Sequence, residues 1–171
     1  MTRWIEALVE RIFPAEPVYA HCDIPCGIYD PHEAQIGALT VLRMVQLAGD
    51  LSPPHGENAT PESRKDFHAK LARYTAVKEA HAELVKHQVR VIWGDYFTEE
   101  MTKEFPEVNP LVQKILRDAS KARQGFTVEQ ANTLLADVQK FAEIFWKTKK
   151  VETKSVPSHQ KSGGNIIVPA E

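Results

Sequence analysis

Both cysteines of the chain, Cys22 and Cys26, stand inside the run His21-Cys22-Asp23-Ile24-Pro25-Cys26-Gly27-Ile28-Tyr29-Asp30-Pro31, where metal-binding and redox-capable residue types crowd together. On a helix two cysteines so spaced would share a face, but Pro25 and Gly27 oppose a helix, and Pro25 drives Ile24 toward an extended conformation. The spacing predicts a tight hook in which two thiolates converge on one ion, with the imidazole of His21 close enough to join them. C-x3-C is a short pattern, and two free thiols near a helix N-terminus beside a surface histidine satisfy it as well.

Position adds chemistry to spacing. Pro14 to Ala20 reads as an exposed, extended linker of the kind proteases cut. Cleavage after Ala20 would make His21 an N-terminus, offering an α-amino nitrogen and an imidazole, and one residue on an amide nitrogen and a thiolate. Two nitrogens and two sulfurs in a plane suit a square-planar d8 ion, whereas zinc prefers a tetrahedron of side chains. Anionic nitrogen and thiolate donors also favour a higher oxidation state, so such a centre is expected to be redox active.

The elements that must position this hook are helical. Trp4, Ile5, Leu8, Val9, Ile12 and Phe13 fall on one helical face of a segment interrupted by Glu6, Glu10 and Arg11, which reads as an amphipathic helix stopped by Pro14 and not as a secretory h-region. Asp30-Pro31-His32-Glu33 has the form of a capping box with proline at the first helical position, opening a helix to about Ala48. Asp50 to Ala59 is a loop. Thr60-Pro61-Glu62 repeats the cap-then-proline start for a helix of roughly 30 residues carrying Phe67, Leu71, Tyr74, Val77, Leu84 and Val91. Trp93 to Val108 reads as an irregular connection. Leu111, Val112, Ile115, Leu116 and Ala119 mark a third helix, and after Gly125 a Thr127/Gln130 capping box opens a fourth, reaching Trp146.

The expected fold is therefore all-α, an antiparallel four-helix bundle. Residues 1–20 are expected to be a propeptide, 21–150 the hook and bundle, and 151–171, rich in Ser, Gly, Pro and Lys, a flexible tail on which Ile166, Ile167 and Val168 could dock on a neighbour.

Composition narrows the function classes. The chain has 171 residues, the size of one domain. Its 21 Lys and Arg against 23 Asp and Glu, a net charge of −2, give no electrostatic footprint for nucleic acid. No apolar stretch approaches the roughly 18 residues of a membrane-spanning helix. Two cysteines without a secretory signal suit a reducing cytoplasmic setting. His32, His55, His68, His87 and His159 show no metal-site spacing and read as surface histidines; Lys147 to Lys150 complements a helix C-terminus.

HCDIPCGIYDP, together with VIWGDYF at Val91 to Phe97 and IFWKTKK at Ile144 to Lys150, resembles the nickel-dependent superoxide dismutases in unprocessed precursor form. The resemblance spans roughly His21 to Lys150. It implies an antioxidant enzyme with one nickel per chain, held by the amine and imidazole of His21, the amide nitrogen and thiolate of Cys22, and the thiolate of Cys26. It implies a ping-pong reaction in which one superoxide reduces Ni(III) and leaves as oxygen, and a second reoxidises the metal and leaves as hydrogen peroxide. Tyr29 and Tyr96 match the family's tyrosines near the open metal face, and Asp23 would act through its backbone N–H. The implied partners are superoxide, a processing peptidase and a homohexamer of the same chain. Three positions depart from the family pattern. A glutamate and an arginine that support the axial imidazole are Gly37 and His81 here, leaving His81 either as a substitute for that pair or as a core histidine bonded to a backbone carbonyl. A lysine after the Tyr-Phe pair is Thr98. The competing readings are a zinc- or copper-binding helical module without turnover, and an interaction bundle with inert thiols.

Overall fold

The computed structural model describes residues 27–170, so the expectations for the propeptide helix, and for His21, Cys22, Asp23 and Cys26, fall outside the described residues. The protein is mostly helical. Helix α1 is His32–Gly49, α2 Pro61–Asp95, α3 Glu99–Glu104, α4 Val108–Gln124 and α5 Val128–Thr148, with a 3-10 turn at Gly56–Asn58. The antiparallel strands β1, Thr153–Pro157, and β2, Asn165–Pro169, follow.

The predicted helix starts are present, with local changes. Asp30 Oδ1 accepts the His32 N–H at 2.8 Å, capping α1 as expected. Glu33 does not close the box, because its carboxylate accepts from Gln88 of α2 instead. Thr60 Oγ1 accepts the Ser63 N–H at 3.2 Å ahead of Pro61, starting a helix of 35 residues. The Thr127/Gln130 box does not form: Thr127 makes no side-chain cap bond, and the Gln130 Oε1 atom is buried against Gly125. The connection read as irregular contains α3, because Thr98 Oγ1 accepts from the Met101 N–H and caps a short helix there.

Helix α1 packs on α2 and α5, and α4 packs on the same two helices, so four long helices surround one core. Alanine and valine dominate where α1 meets α2, as at Ala34, Ala38, Ala82 and Val85, while Phe141 and Phe145 of α5 fill the volume that those small residues leave. Apolar residues are fully buried on α2 only from Ala82 onward; upstream, Phe67, Leu71, Tyr74 and Val77 are half-buried.

Buried polar groups join elements far apart in sequence. Lys78, with no exposed surface, donates from Nζ to the carbonyls of Arg123 and Gly125 and lies 3.7 Å from the Phe126 ring centre. It thereby satisfies carbonyls at the end of α4 that have no helical partner, and burial pushes its ammonium below the usual lysine range. Asp118 of α4 receives Lys121 at 2.9 Å and Lys114 at 3.1 Å, and Lys114 also bridges to Asp137 of α5. Burial opposes charge on Asp118, but the hydrogen bonds from Lys121 and Lys114 outweigh it and hold the carboxyl below its ordinary 3.8.

The segment after Val151 corrects the reading as a flexible tail. Residues 153–157 and 165–169 pair in register, Val156 opposite Ile166, and the hairpin lies on α1 and α5 of the same chain. Gln35, almost fully buried, accepts the Ile167 N–H at 2.7 Å and donates to the Ile167 carbonyl at 3.0 Å. Gly164, at φ +76°, is in the left-handed region that favours glycine, and a Cβ there would stand 3.1 Å from the Leu39 and Leu135 methyls. Composition concealed this because the strands are short and the Ile167 and Asn165 backbone groups of β2 are satisfied by Gln35 and Gln139 from helices, a partnership that no local pattern records.

Two outcomes follow. Gln35→Leu removes both bonds to Ile167 and is expected to cost about 2–3 kcal/mol in urea unfolding, with faster amide exchange over residues 165–169. Because Asp118 is depressed in the folded state, its stabilising share is complete above the ordinary carboxyl value and is lost as pH falls through the lower folded one. Asp118→Asn is expected to flatten that acid limb in unfolding curves measured from neutral to strongly acidic pH.

Candidate metal centre

The described part of the site begins where the hook joins the bundle. Gly27, at φ +89°, adopts a backbone conformation that disfavours side chains, with open space around it, and Ile28 is 70% exposed. Tyr29 then turns inward and is buried. Its ring centre lies 5.7 Å from that of Tyr96, the residue at which α2 ends, with its N–H donating to the Ile92 carbonyl. The two tyrosines that resemblance placed near the metal are therefore brought together, one at the start of α1 and one at the end of α2.

Tyr96 is held on several sides. Phe145 of α5 lies 4.9 Å from its ring centre and Phe97 5.4 Å edge-on. Its hydroxyl is 2.7 Å from Thr148 Oγ1. The Lys149 Nζ atom sits 5.0 Å from the Phe145 ring, 5.5 Å from Tyr96 and 5.8 Å from Trp146, a cation anchored by three aromatic faces while the residue stays exposed. Sequence reading passes over Thr148 and assigns Lys149 only to the helix dipole. The available signal is that both lie within one turn of Phe145, which becomes meaningful once Phe145 is known to touch Tyr96.

The departures from the family pattern acquire physical reasons. A Cβ on Gly37 would stand 2.9 Å from Val85 Cγ2 and 3.4 Å from the His81 carbonyl, so α1 and α2 approach too closely for a side chain at that point. His81, half-buried, places Nδ1 2.8 Å from the Val77 carbonyl. A carbonyl can only accept, so Nδ1 carries the hydrogen and this nitrogen serves its own helix. That bond is the one expected of a core histidine satisfied by a backbone carbonyl. Thr98 caps α3 and carries no charge; the cation beside the tyrosines is Lys149.

Among the described residues, no group of three or more His, Cys, Asp or Glu side chains converges as a metal site. No helix among them is long and apolar enough to cross a membrane. The donors with the right chemistry are the thiolates of Cys22 and Cys26 and the imidazole of His21, a sulfur-rich set that suits a thiophilic transition-metal ion. Among the described residues the helices present a paired-tyrosine face, and the Cys/His run precedes it in sequence.

The model of the family described as nickel-containing superoxide dismutase matches residues 16–149. The superoxide dismutase [Ni] of Streptomyces coelicolor is 34% identical over 144 residues, and that of Streptomyces seoulensis 33%; each match covers 84% of this chain and 99% of the relative. A crystal structure of a nickel-containing superoxide dismutase in the oxidised state of nickel ligation superposes with a TM-score of 0.65 at 32% identity, covering 76% of this chain and 99% of that one. A native nickel superoxide dismutase structure gives 0.60 at 33% identity, covering 75% and 99%. The chain belongs to the nickel-containing superoxide dismutase family. The β1–β2 hairpin lies beyond the family match.

Because the obstruction at Gly37 is Val85 and helix backbone, Gly37→Glu is expected to lower stability by about 1–3 kcal/mol in urea unfolding. Adding His81→Arg does not restore it. Adding Val85→Ala recovers part of the loss, a coupling that a double-mutant cycle measures.

Proposed function

We propose that this chain is a nickel superoxide dismutase that becomes competent when residues 1–20 are removed, and that His21, Cys22 and Cys26 hold the nickel. The enzyme class, the nickel cofactor and superoxide as substrate follow from family membership. The observation that carries the reading is that the family match runs through the hook and the Tyr29–Tyr96 pair without leaving out either. The amine and imidazole of His21, the amide and thiolate of Cys22 and the thiolate of Cys26 are the proposed donors, and they fit nickel because thiolate and anionic nitrogen are strong donors to it. Bound there, nickel supplies a one-electron Ni(III)/Ni(II) couple. The balanced reaction takes two superoxide ions and two protons to one oxygen and one hydrogen peroxide. A zinc- or copper-binding module without turnover is not favoured by the family.

The remaining parts of the proposal concern this chain's own groups. The Lys149 ammonium, fixed over the aromatic faces, presents positive charge to an arriving anion. Tyr29 and Tyr96 form a wall that limits what reaches the metal, and Asp23 contributes its backbone N–H. The pairwise packing of the four long helices supports the antiparallel four-helix bundle; residues 1–20 as propeptide, and a peptidase that exposes His21, rest on the resemblance and on the extended Pro14 to Ala20 linker. The half-buried stripe of Phe67, Leu71, Tyr74 and Val77 supports self-association, proposed as a homohexamer, since a neighbouring copy can cover it. The proposed location is the cytoplasm, where the thiols stay reduced until metallated.

The test begins with protein matured beside its peptidase and loaded with nickel. One nickel per chain, an intact mass starting at His21 and superoxide turnover are expected. One extra residue before His21, or Cys22→Ser, should abolish nickel retention and turnover together. Retained nickel and activity in the extended form would overturn the amine-ligated site.

A further inference from the structure

The hydroxyl of Tyr96 belongs to a chain of hydrogen bonds whose direction is fixed. Thr148 Oγ1 lies 2.7 Å from the Phe145 carbonyl. A carbonyl oxygen only accepts, so the single hydrogen of Thr148 points to Phe145. The Tyr96 hydroxyl is also 2.7 Å from Thr148 Oγ1, and the only hydrogen left for that contact is the phenol's own. Tyr96 therefore donates to Thr148, and Thr148 donates to the backbone. What Tyr96 turns to its other neighbours is an oxygen with lone pairs and no hydrogen.

We infer that Thr148 is a positioning residue that makes Tyr96 a hydrogen-bond acceptor toward the metal site. This rests on the reading above that the hook lies beside the Tyr29–Tyr96 pair. An acceptor-only phenol repels an anion's lone pairs, so Tyr96 gives no direct hydrogen bond to superoxide. It instead holds a water by one of that water's hydrogens, leaving the other to face the site, and it accepts from a protonated product such as hydrogen peroxide. The same turn of α5 supplies Lys149 across the Tyr96 ring, so the ring and the hydroxyl are both set by consecutive residues. Attraction of the anion and orientation of the proton-bearing water are thus divided between Lys149 and Tyr96.

Ultraviolet resonance Raman spectra of the nickel-free protein test the direction of the bond, since the tyrosine Fermi doublet distinguishes a phenol that donates from one that accepts. Difference spectra against Tyr96→Phe isolate this residue. A donor signature is expected in the native chain and in Thr148→Ser, which keeps the hydroxyl, and its loss in Thr148→Val. In the nickel-loaded enzyme, Thr148→Val frees the phenol hydrogen, and inhibition by azide is expected to tighten by about tenfold, the worth of one hydrogen bond to an ion. Thr148→Ser should inhibit like the native enzyme. A donor signature that survives Thr148→Val, or that Thr148→Ser fails to keep, overturns the inference, as does azide inhibition that Thr148→Val leaves unchanged. Failure of the nickel reading itself would appear separately, as a native protein that binds no nickel while the nickel-free spectra stand.

Discussion

The contact between Phe145 and Tyr96, ring centres 4.9 Å apart, ties the end of α5 to the end of α2, and the paired-tyrosine face is built around it. Phe145 is fully buried, so its ring cannot move without opening the core. With Phe145 fixed, the next turn of α5 delivers Thr148 to the Tyr96 hydroxyl and Lys149 to the ring faces. With Tyr96 fixed, Tyr29 packs on it, two residues after Gly27 with its positive φ. A reactive hook needs such a base: short segments between prolines and glycines have little cohesion of their own, and the bundle provides the ordered surface on which they can be arranged.

A second constraint is the close approach of α1 and α2 at Gly37 and Val85. It replaces a charged pair of the family pattern with helix-to-helix packing, and it changes how the neighbouring histidine is satisfied. His81 bonds to Val77 within its own helix and not to a carboxylate from α1. Lys78 and Gln35 show the same economy elsewhere: each is a buried polar side chain whose capacity is taken up by backbone groups of a distant element. Left unpaired, either would destabilise the fold by more than its bonds contribute.

Much of the helical plan was legible because its causes are local. Asp30 and Thr60 cap the helices they precede, and apolar spacing marks the buried faces of α4 and α5. Two of the readings that failed did so through competition from outside the segment. Glu33 bonds to Gln88 across 55 residues instead of closing its box. The hairpin of residues 153–169 depends on Gln35, 132 residues before Ile167, and its own composition carries no trace of that partner. Tyr29 and Tyr96 were singled out through family resemblance; Thr148 was not, because it meets Tyr96 only where α5 meets α2.

The sequence by itself determined the donor chemistry of the hook, the helical periodicity and the helix starts, since each follows from residue types within a few positions of one another. Tertiary structure alone decided that Gly37 lies against backbone, that His81 bonds to its own helix, that the last strands lie on α1 and α5, and that the phenol hydrogen of Tyr96 points to Thr148. Apart from the His81 bond to Val77, four residues before it, these are contacts between groups tens of residues apart, and the distance between such groups is set by the packing of the whole core.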